Sequence, residues 1–471
     1  MPNGLHGLRS LKSVLLKCTC EGLDLSSRPN LRAIFIYEPV ILLPKTLHGL
    51  QELESVSLHR KYDGLDLSSC PNIKSICIDG PVTLMPNGLH GLRSLKIVSL
   101  KCKCDGLDLS SCPNLRAIRL YEPVTLLPNA LHGLQELESV SLHCKCDGLD
   151  LSSCPNIESI CIDGPVTLMP NGLHGLRSLK IVSLKCKCDG LDLSSCPNLS
   201  PIRIYEPVTL LPNALHGLQN LEKVSLKCKY DGLDLSLCPN IETLDIEGAV
   251  ILLPNAIYGL QKLKRLKLIC NCDGLDVSSC QNIEAIYVNK PVNLLPKSLR
   301  GLQKLNIVWF SCKCEGLNVS TCSHMEEIYL KEPVTSWLNA QHGLHEDKKV
   351  LLKCKYDGVD LSSGPTIVEI DIYVTLLPNS LDKLIKVSLQ CKYDALDLST
   401  CLKISDDLVR IERYLYNRVE TLKYNLHGLQ NITNVSLKCK FHGLDLVSCK
   451  NIEILDIEEP ETLLPNSLQD L

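Results

Sequence analysis

Two hydrophobic periods alternate along this chain. In "VSLKCK" (98–103) apolar and polar residues alternate one by one, which places Val98, Leu100 and Cys102 on one face of a strand and Ser99, Lys101 and Lys103 on the other. In "LPNALHGLQEL" (127–137) the spacing lengthens: Leu131, Leu134 and Leu137 recur at every third position after a Pro-Asn opening, predicting a short helical turn. Strand, turn, short helix and return make one coil. One coil's apolar set is Leu95, Val98, Leu100, Cys102, Leu107 and Leu109; the next is Leu115, Ile118, Leu120, Val124, Leu127, Leu131 and Leu134. Leu95, Leu115 and Leu137 open successive coils, so two coils of slightly unequal length make one larger repeat.

That 42-residue unit recurs. "LHGL" starts at Leu5, Leu47, Leu89, Leu131, Leu173 and Leu215, with variants starting at Ile257, Leu299 and Gln341. A fixed period of this size marks a stacked-repeat architecture. Residues 81–115 are identical to 165–199, so units were duplicated in pairs. The 471 residues would hold about eleven units, or about 22 coils, stacked at roughly 4.8 Å into a parallel sheet with a contour of about 100 Å. No coil buries its apolar face alone, so stability accrues one interface at a time.

Residues 1–345 read as a regular array and 346–471 as a degenerate continuation of it. In "ISDDLVRIERYLYNRVETLKYNL", Leu408, Ile411, Leu415, Val419 and Leu422 stand at helical spacing, which predicts a longer helix near 404–425. Met1 occupies the slot of Met85 and Met169, and Leu471 stops where another "LHGL" would finish. Neither end has a capping pattern, so the expectation is a fragment with further domains beyond the termini.

The 27 cysteines pose the sharpest chemical question. "SLKCKCDGLDLSSCPN" carries Cys102, Cys104 and Cys112, and the copies of this stretch can be compared with one another. The Cys104 slot becomes Tyr62, Tyr230, Tyr356, Tyr393 and Phe441, so it is not an obligatory metal ligand. Unit one keeps Cys18 and Cys20 but has Arg28 in the third slot, and unit two keeps Cys70 while Arg60 and Tyr62 fill the others. Disulfide partners should vanish together. The reading that remains is free thiols used as small buried hydrophobes, which points to a reducing compartment and a cytoplasmic location. Sequons at Asn318, Asn431 and Asn434 point weakly the other way.

Composition narrows the field further. Aromatic content of 4% demands an aliphatic core, and a net charge of −4 lacks the basic signature of a nucleic-acid binder. No apolar run approaches the roughly 18 to 20 residues of a membrane span. His6, His48, His90, His132, His174 and His216 recur in "LHGL", but Tyr258 and Arg300 replace them, which fits an exposed position. Asp105 reads as closing a turn beside Gly106, and Asp108 as a solvated residue. No nucleophile stands apart from the repeat, and a catalytic site copied into every unit would be peculiar. The chain is read as a non-enzyme with no catalytic residue, cofactor or metal.

"LKCKCDGL" resembles the leucine-rich repeat pattern L-x-x-L-x-L-x-x-N/C-x-L, with Cys102 in the second strand slot, Asp105 in the Asn/Cys slot and Leu107 closing it. That resemblance implies an α/β horseshoe with a long parallel sheet on its concave face, short helices or turns on the convex face, and partner binding on the concave side. The polar strand positions there are Lys101, Lys103, Arg119, Tyr121, His143, Lys145, Asp163, Lys185, Lys187, Arg203 and Tyr205. Basic, aromatic and acidic rows alternate, a surface suited to a protein ligand through Tyr and Arg anchors. "LPNALHGLQELESVSL" with "LSSCPNL" is similar to the repeats of nucleotide-binding, leucine-rich repeat immune receptors, which implies a sensor region of an intracellular receptor. No "GxxxxGK[ST]" occurs, so any switch domain lies outside these residues. The alternatives are the substrate-recognition arm of a ubiquitin-ligase complex and an extracellular adhesion or pattern-recognition receptor.

Overall fold

The computed structural model describes residues 61–253 without a break, most of 8–59 and 255–330, and short strand segments beyond Leu330. Two compact units are present, one comprising Met1–Cys238 with Glu247–Val250, the other Pro239–Ile246 with Ile251–Leu471.

In the first unit each coil lays its strand parallel to the next. Strand Ile97–Leu107 pairs with Ala117–Leu126 (Val98 opposite Ile118, Leu100 opposite Leu120), and Ala117–Leu126 pairs in turn with Ser139–Leu149. Val98, Leu100, Cys102, Cys104 and Leu107 all point inward and are buried, as are Ile118, Leu120 and Val124. The alternation that predicted the strand therefore also orients it. These strands are longer than "VSLKCK" suggested. The ladder to the next coil keeps its register through Cys104 opposite Val124 and shifts before Leu107 opposite Leu126, while the ladder to the preceding coil shifts between Lys101 and Lys103, so each coil holds two successive β segments.

The second segment corrects one core position. Leu126 is 6% exposed whereas Leu127, expected inside, is 47% exposed. Leu127 instead leans over the coil below, where a Cβ on Gly106 would lie 3.4 Å from its Cδ2. Leu211 covers Gly190 in the same way.

Among the described residues there is no helix, and the short convex-side helices are replaced by isolated turns. Gly88 N–H donates to Met85 O at 2.8 Å, His90 N–H to Asn87 O at 3.0 Å and Leu95 N–H to Leu92 O at 3.1 Å, each closing a single tight turn. The reason is length. A helix needs several residues to offset the cost of its first turn, and Gly91, at φ 73°, breaks the path after the first bonds. The result is a parallel β-solenoid of about 14 turns, and the described residues do not support the expected 22.

The two commonest motifs, "LHGL" and "LDLSSCPN", prove to be partners across adjacent coils. Asp108, half-exposed, also forms a side-chain turn, its Oδ1 accepting from Ser110 N–H at 2.9 Å. Ser111 Oγ accepts from Gly91 N–H at 2.8 Å, Cys112 Sγ donates to Leu89 O at 3.3 Å, and Asn114 Nδ2 donates to Arg93 O at 2.7 Å. One coil thus supplies hydrogen-bond partners to the turn of its predecessor. The same thiol bond recurs from Cys70 to Leu47 O, Cys154 to Leu131 O, Cys196 to Leu173 O and Cys238 to Leu215 O. His90 and His132 point to solvent, as expected of them.

In the second unit, strands Arg265–Asn271, Ala285–Val288, Ile307–Phe310 and Glu327–Leu330 repeat the parallel register. The longer helix expected near 404–425 falls largely outside the described residues; those described there, Val409–Glu412 and Lys423–Asn425, are strands.

Candidate functional site

Alternation puts every second strand residue on the outward face, and parallel register lines these residues up from coil to coil. One row runs Lys101, Tyr121, His143, Asp163, Lys185, Tyr205, Lys227 and Glu247, with Tyr121 opposite His143, Asp163 opposite Lys185 and Tyr205 opposite Lys227. Beside it runs a row with Arg119 opposite Ser141, Cys161 opposite Ser183 and Ser183 opposite Arg203.

Neighbours in the first row interact directly. The Tyr121 and His143 rings stack with centroids 5.0 Å apart and 4° between planes. Nδ1 of His143 lies 3.1 Å from Asp163 O, and because a carbonyl only accepts, that nitrogen carries the proton. Its Nε2 then accepts from Ser141 Oγ at 3.3 Å, so the ring is held at both ends. Lys101 pairs with Asp79 at 3.4 Å, Lys185 with Asp163 at 3.3 Å, and Lys227 with Glu247 at 2.7 Å.

The face opens into a cavity in the first unit. An open cavity of about 630 Å³ is lined by His143, Cys161, Asp163, Ser183, Lys185, Tyr205, Glu206, Lys227, Glu247 and Gly248, among others. Gly248 contributes room because it has no side chain; a Cβ there would approach Glu206 Oε1 to 3.8 Å.

Of the residues expected from sequence, the cavity brings together His143, Asp163, Lys185 and Tyr205. Tyr121 adjoins it through the His143 stack. Lys101, Arg119 and Arg203 share the outward face without lining the cavity, and Arg203 influences the thiol of Cys161. Lys103, Lys145 and Lys187 lie past the register shift, opposite Thr83, Thr125 and Thr167, on the second β segment. Lys227, Glu247 and Gly248 were missed. Lys227 was legible as the position one repeat unit after Lys185, and Glu247 and Gly248 as the column continuing from Tyr205 and Glu206.

In the second unit the outward face carries three rings in register. Tyr287 and Trp309 have centroids 6.4 Å apart, and Trp309 stacks on Tyr329 at 3.8 Å. Trp309 and Tyr329 cover one another's faces while Tyr287 is tilted at 38° to Trp309, and Trp309 Nε1 donates to Ser311 Oγ at 2.8 Å.

The buried thiols do not offer nucleophilic chemistry. Burial pushes Cys102, Cys144, Cys186 and Cys228 up to about 12 and Cys104, Cys146 and Cys188 up to about 11. The thiolate is the reactive form, so these groups are inert at neutral pH. Among the described residues no cluster of His, Cys, Asp and Glu could hold a metal ion, and no helix is long and apolar enough to cross a membrane.

No family model matches the chain, and no curated protein matches it. Among solved structures it is similar to a plant peptide hormone receptor, RGFR1, determined in complex with RGF2: 15% identity, 96% of this chain and 90% of that one, TM-score 0.58. It is also similar to CroV588, described as a novel circular LRR protein: 10% identity, 95% of this chain and 69% of that one, TM-score 0.50. At such identities the likeness establishes the fold, a leucine-rich repeat solenoid.

Proposed function

We propose that this leucine-rich repeat solenoid is a recognition scaffold that binds an extended peptide segment of a protein ligand on its outward strand face. The observation that carries this reading is the open cavity in the first unit, where charged, aromatic and hydroxyl side chains from successive coils converge. A ligand there would meet preformed groups: His143 is held at both ring nitrogens and Lys185 and Lys227 by ion pairs, so little ordering cost remains on binding. The structurally similar plant receptor is a peptide hormone receptor solved with RGF2, which supports a peptide as the occupant.

The finer reading is the sensor region of a larger innate-immune receptor of the nucleotide-binding, leucine-rich repeat type, working in the cytoplasm. Its support is the "LPNALHGLQELESVSL" and "LSSCPNL" pattern together with the stacked thiols, of which Cys102, Cys112, Cys144, Cys154, Cys186 and Cys196 form no disulfide. An extracellular receptor is the competing reading, and a thiol titration of the unfolded chain with and without reductant separates the two.

The experiment is selection from a displayed library of random dodecapeptides on the full chain. Selected peptides should lose binding to the Lys185→Glu and Tyr205→Ala variants and keep it with His174→Ala on the turn side. Peptides that bind all variants equally, or no enrichment at all, would reject the strand face as the contact surface.

A further inference from the structure

The charges around the cavity do not cancel, and this bears on what kind of peptide fits. Asp163 is paired with Lys185 and Glu247 with Lys227, but among the described residues Glu206 makes no ion pair. Of the carboxylates and lysines lining the cavity, three carboxylates (Asp163, Glu206 and Glu247) face two ammonium groups (Lys185 and Lys227). Glu206 and the half-buried Tyr205 both line the cavity, and the space next to the Glu206 carboxylate is left open by Gly248. An uncompensated carboxylate and an aromatic ring lining one recess can receive a cation, through charge-assisted hydrogen bonds and the ring's negative face.

The arrangement recurs two repeat units earlier. There Tyr121 and Glu122 stand where Tyr205 and Glu206 stand, and Gly164 takes the place of Gly248. Glu122 is exposed and makes no ion pair among the described residues either. The chain packs closely at Gly164, where a Cβ would come within 3.1 Å of the His143 backbone. Glutamate and glycine therefore alternate along one column as Glu122, Gly164, Glu206 and Gly248, with room beside the Glu206 carboxylate at Gly248 and the His143 backbone packed against Gly164.

Resting on the peptide-recognition reading above, we propose that the first unit selects a peptide carrying two basic side chains, one on Glu206 in the cavity and one on Glu122. The two carboxylates are four coils apart, about 19 Å at roughly 4.8 Å per coil. An extended peptide advances about 3.3 Å per residue, so the basic residues should lie about six positions apart. A ligand with acidic residues at those positions would meet unpaired carboxylates and be rejected, which makes the same column a source of specificity.

The test uses peptides selected on the full chain and then synthesised singly, with binding followed by fluorescence anisotropy. Alkylation of Cys161, a half-buried thiol lining the cavity, reports occupancy; Cys77, its counterpart two repeat units earlier, is half-buried but lies outside the cavity. The expected result is enrichment of Lys or Arg pairs about six positions apart, slower alkylation of Cys161 but not of Cys77, and affinity falling roughly tenfold with Glu206→Gln or Glu122→Gln. Glu222→Gln, which removes an exposed carboxylate outside the cavity, should leave affinity unchanged. Peptides that protect Cys161 without basic residues, or that ignore both substitutions, overturn this inference while leaving peptide recognition intact. If no selected peptide protects Cys161, both fall.

Discussion

Cys112, Cys154 and Cys196 do two jobs at once. Each fills a buried aliphatic slot, and each donates through sulfur to a turn carbonyl of the preceding coil. The first role was legible from the variation among units; the second was not, because an S–H donor leaves no trace in a hydrophobic pattern. Cys154→Ala should cost about 1–3 kcal/mol by leaving Leu131 O without its donor, and Cys154→Ser should recover part of that, read from urea midpoints. Equal losses for Ala and Ser would show that the thiol only fills space. The glycines permit a second comparison. Gly175 (φ 77°) has open space where a Cβ would go, so Gly175→Ala carries the backbone penalty alone, about 1–2 kcal/mol. Gly190 (φ 73°) adds a 3.1 Å approach to Leu211, so Gly190→Ala should be the more damaging. Asp108 reads as solvated in sequence because a turn-forming aspartate and a solvated one look alike between two leucines.

At the scale of elements, the strands were legible because alternation with a period of two is a direct image of side-chain direction. Their length was not. Each strand runs on through "CDG" to Leu107, and Gly106 (φ 70°) reads as the end of a strand rather than the place where the ladder to the next coil shifts register. The spacing of leucines at every third position predicts a helix, but it is also the spacing of successive isolated turns. Repetition makes the coil the unit of stability. Removing residues 85–168, two whole units, rejoins Leu84 to Met169 with every neighbouring sequence preserved. That variant should keep its circular dichroism per residue and unfold cooperatively, with a denaturant dependence reduced in proportion to its length. Removing only residues 85–94 puts the coils out of phase and should abolish cooperative unfolding.

At the scale of the whole molecule, the stacked thiols tie stability to pH. Burial raises Cys102, Cys144, Cys186 and Cys228 from about 9 to about 12, and Tyr230 is raised to about 12 in the same sense. Above pH 9 the unfolded chain gives up these protons while the folded chain keeps them, so the unfolded state binds fewer protons and stability falls as pH rises. Stability should be intact below about pH 9 and decline progressively toward 12, seen as a lower urea midpoint at pH 10 than at pH 8; equal midpoints would mean the thiols ionise inside the fold. The recognition face was half legible for the same reason as the core. Register copies each column once per repeat unit, so Lys185 and Tyr205 were found, but which coils open into a cavity depends on Gly248, whose importance lies in what it lacks.

The most direct measurement is photo-crosslinking of a selected peptide bearing a benzophenone, with the crosslinked residues located by mass spectrometry. Crosslinks should fall on the outward strand positions between Tyr121 and Glu247, with Cys161, Ser183 and Tyr205 among them. Crosslinks concentrated on the turns at His132, His174 and His216 would place the ligand away from the strands and contradict the strand face as the site of recognition.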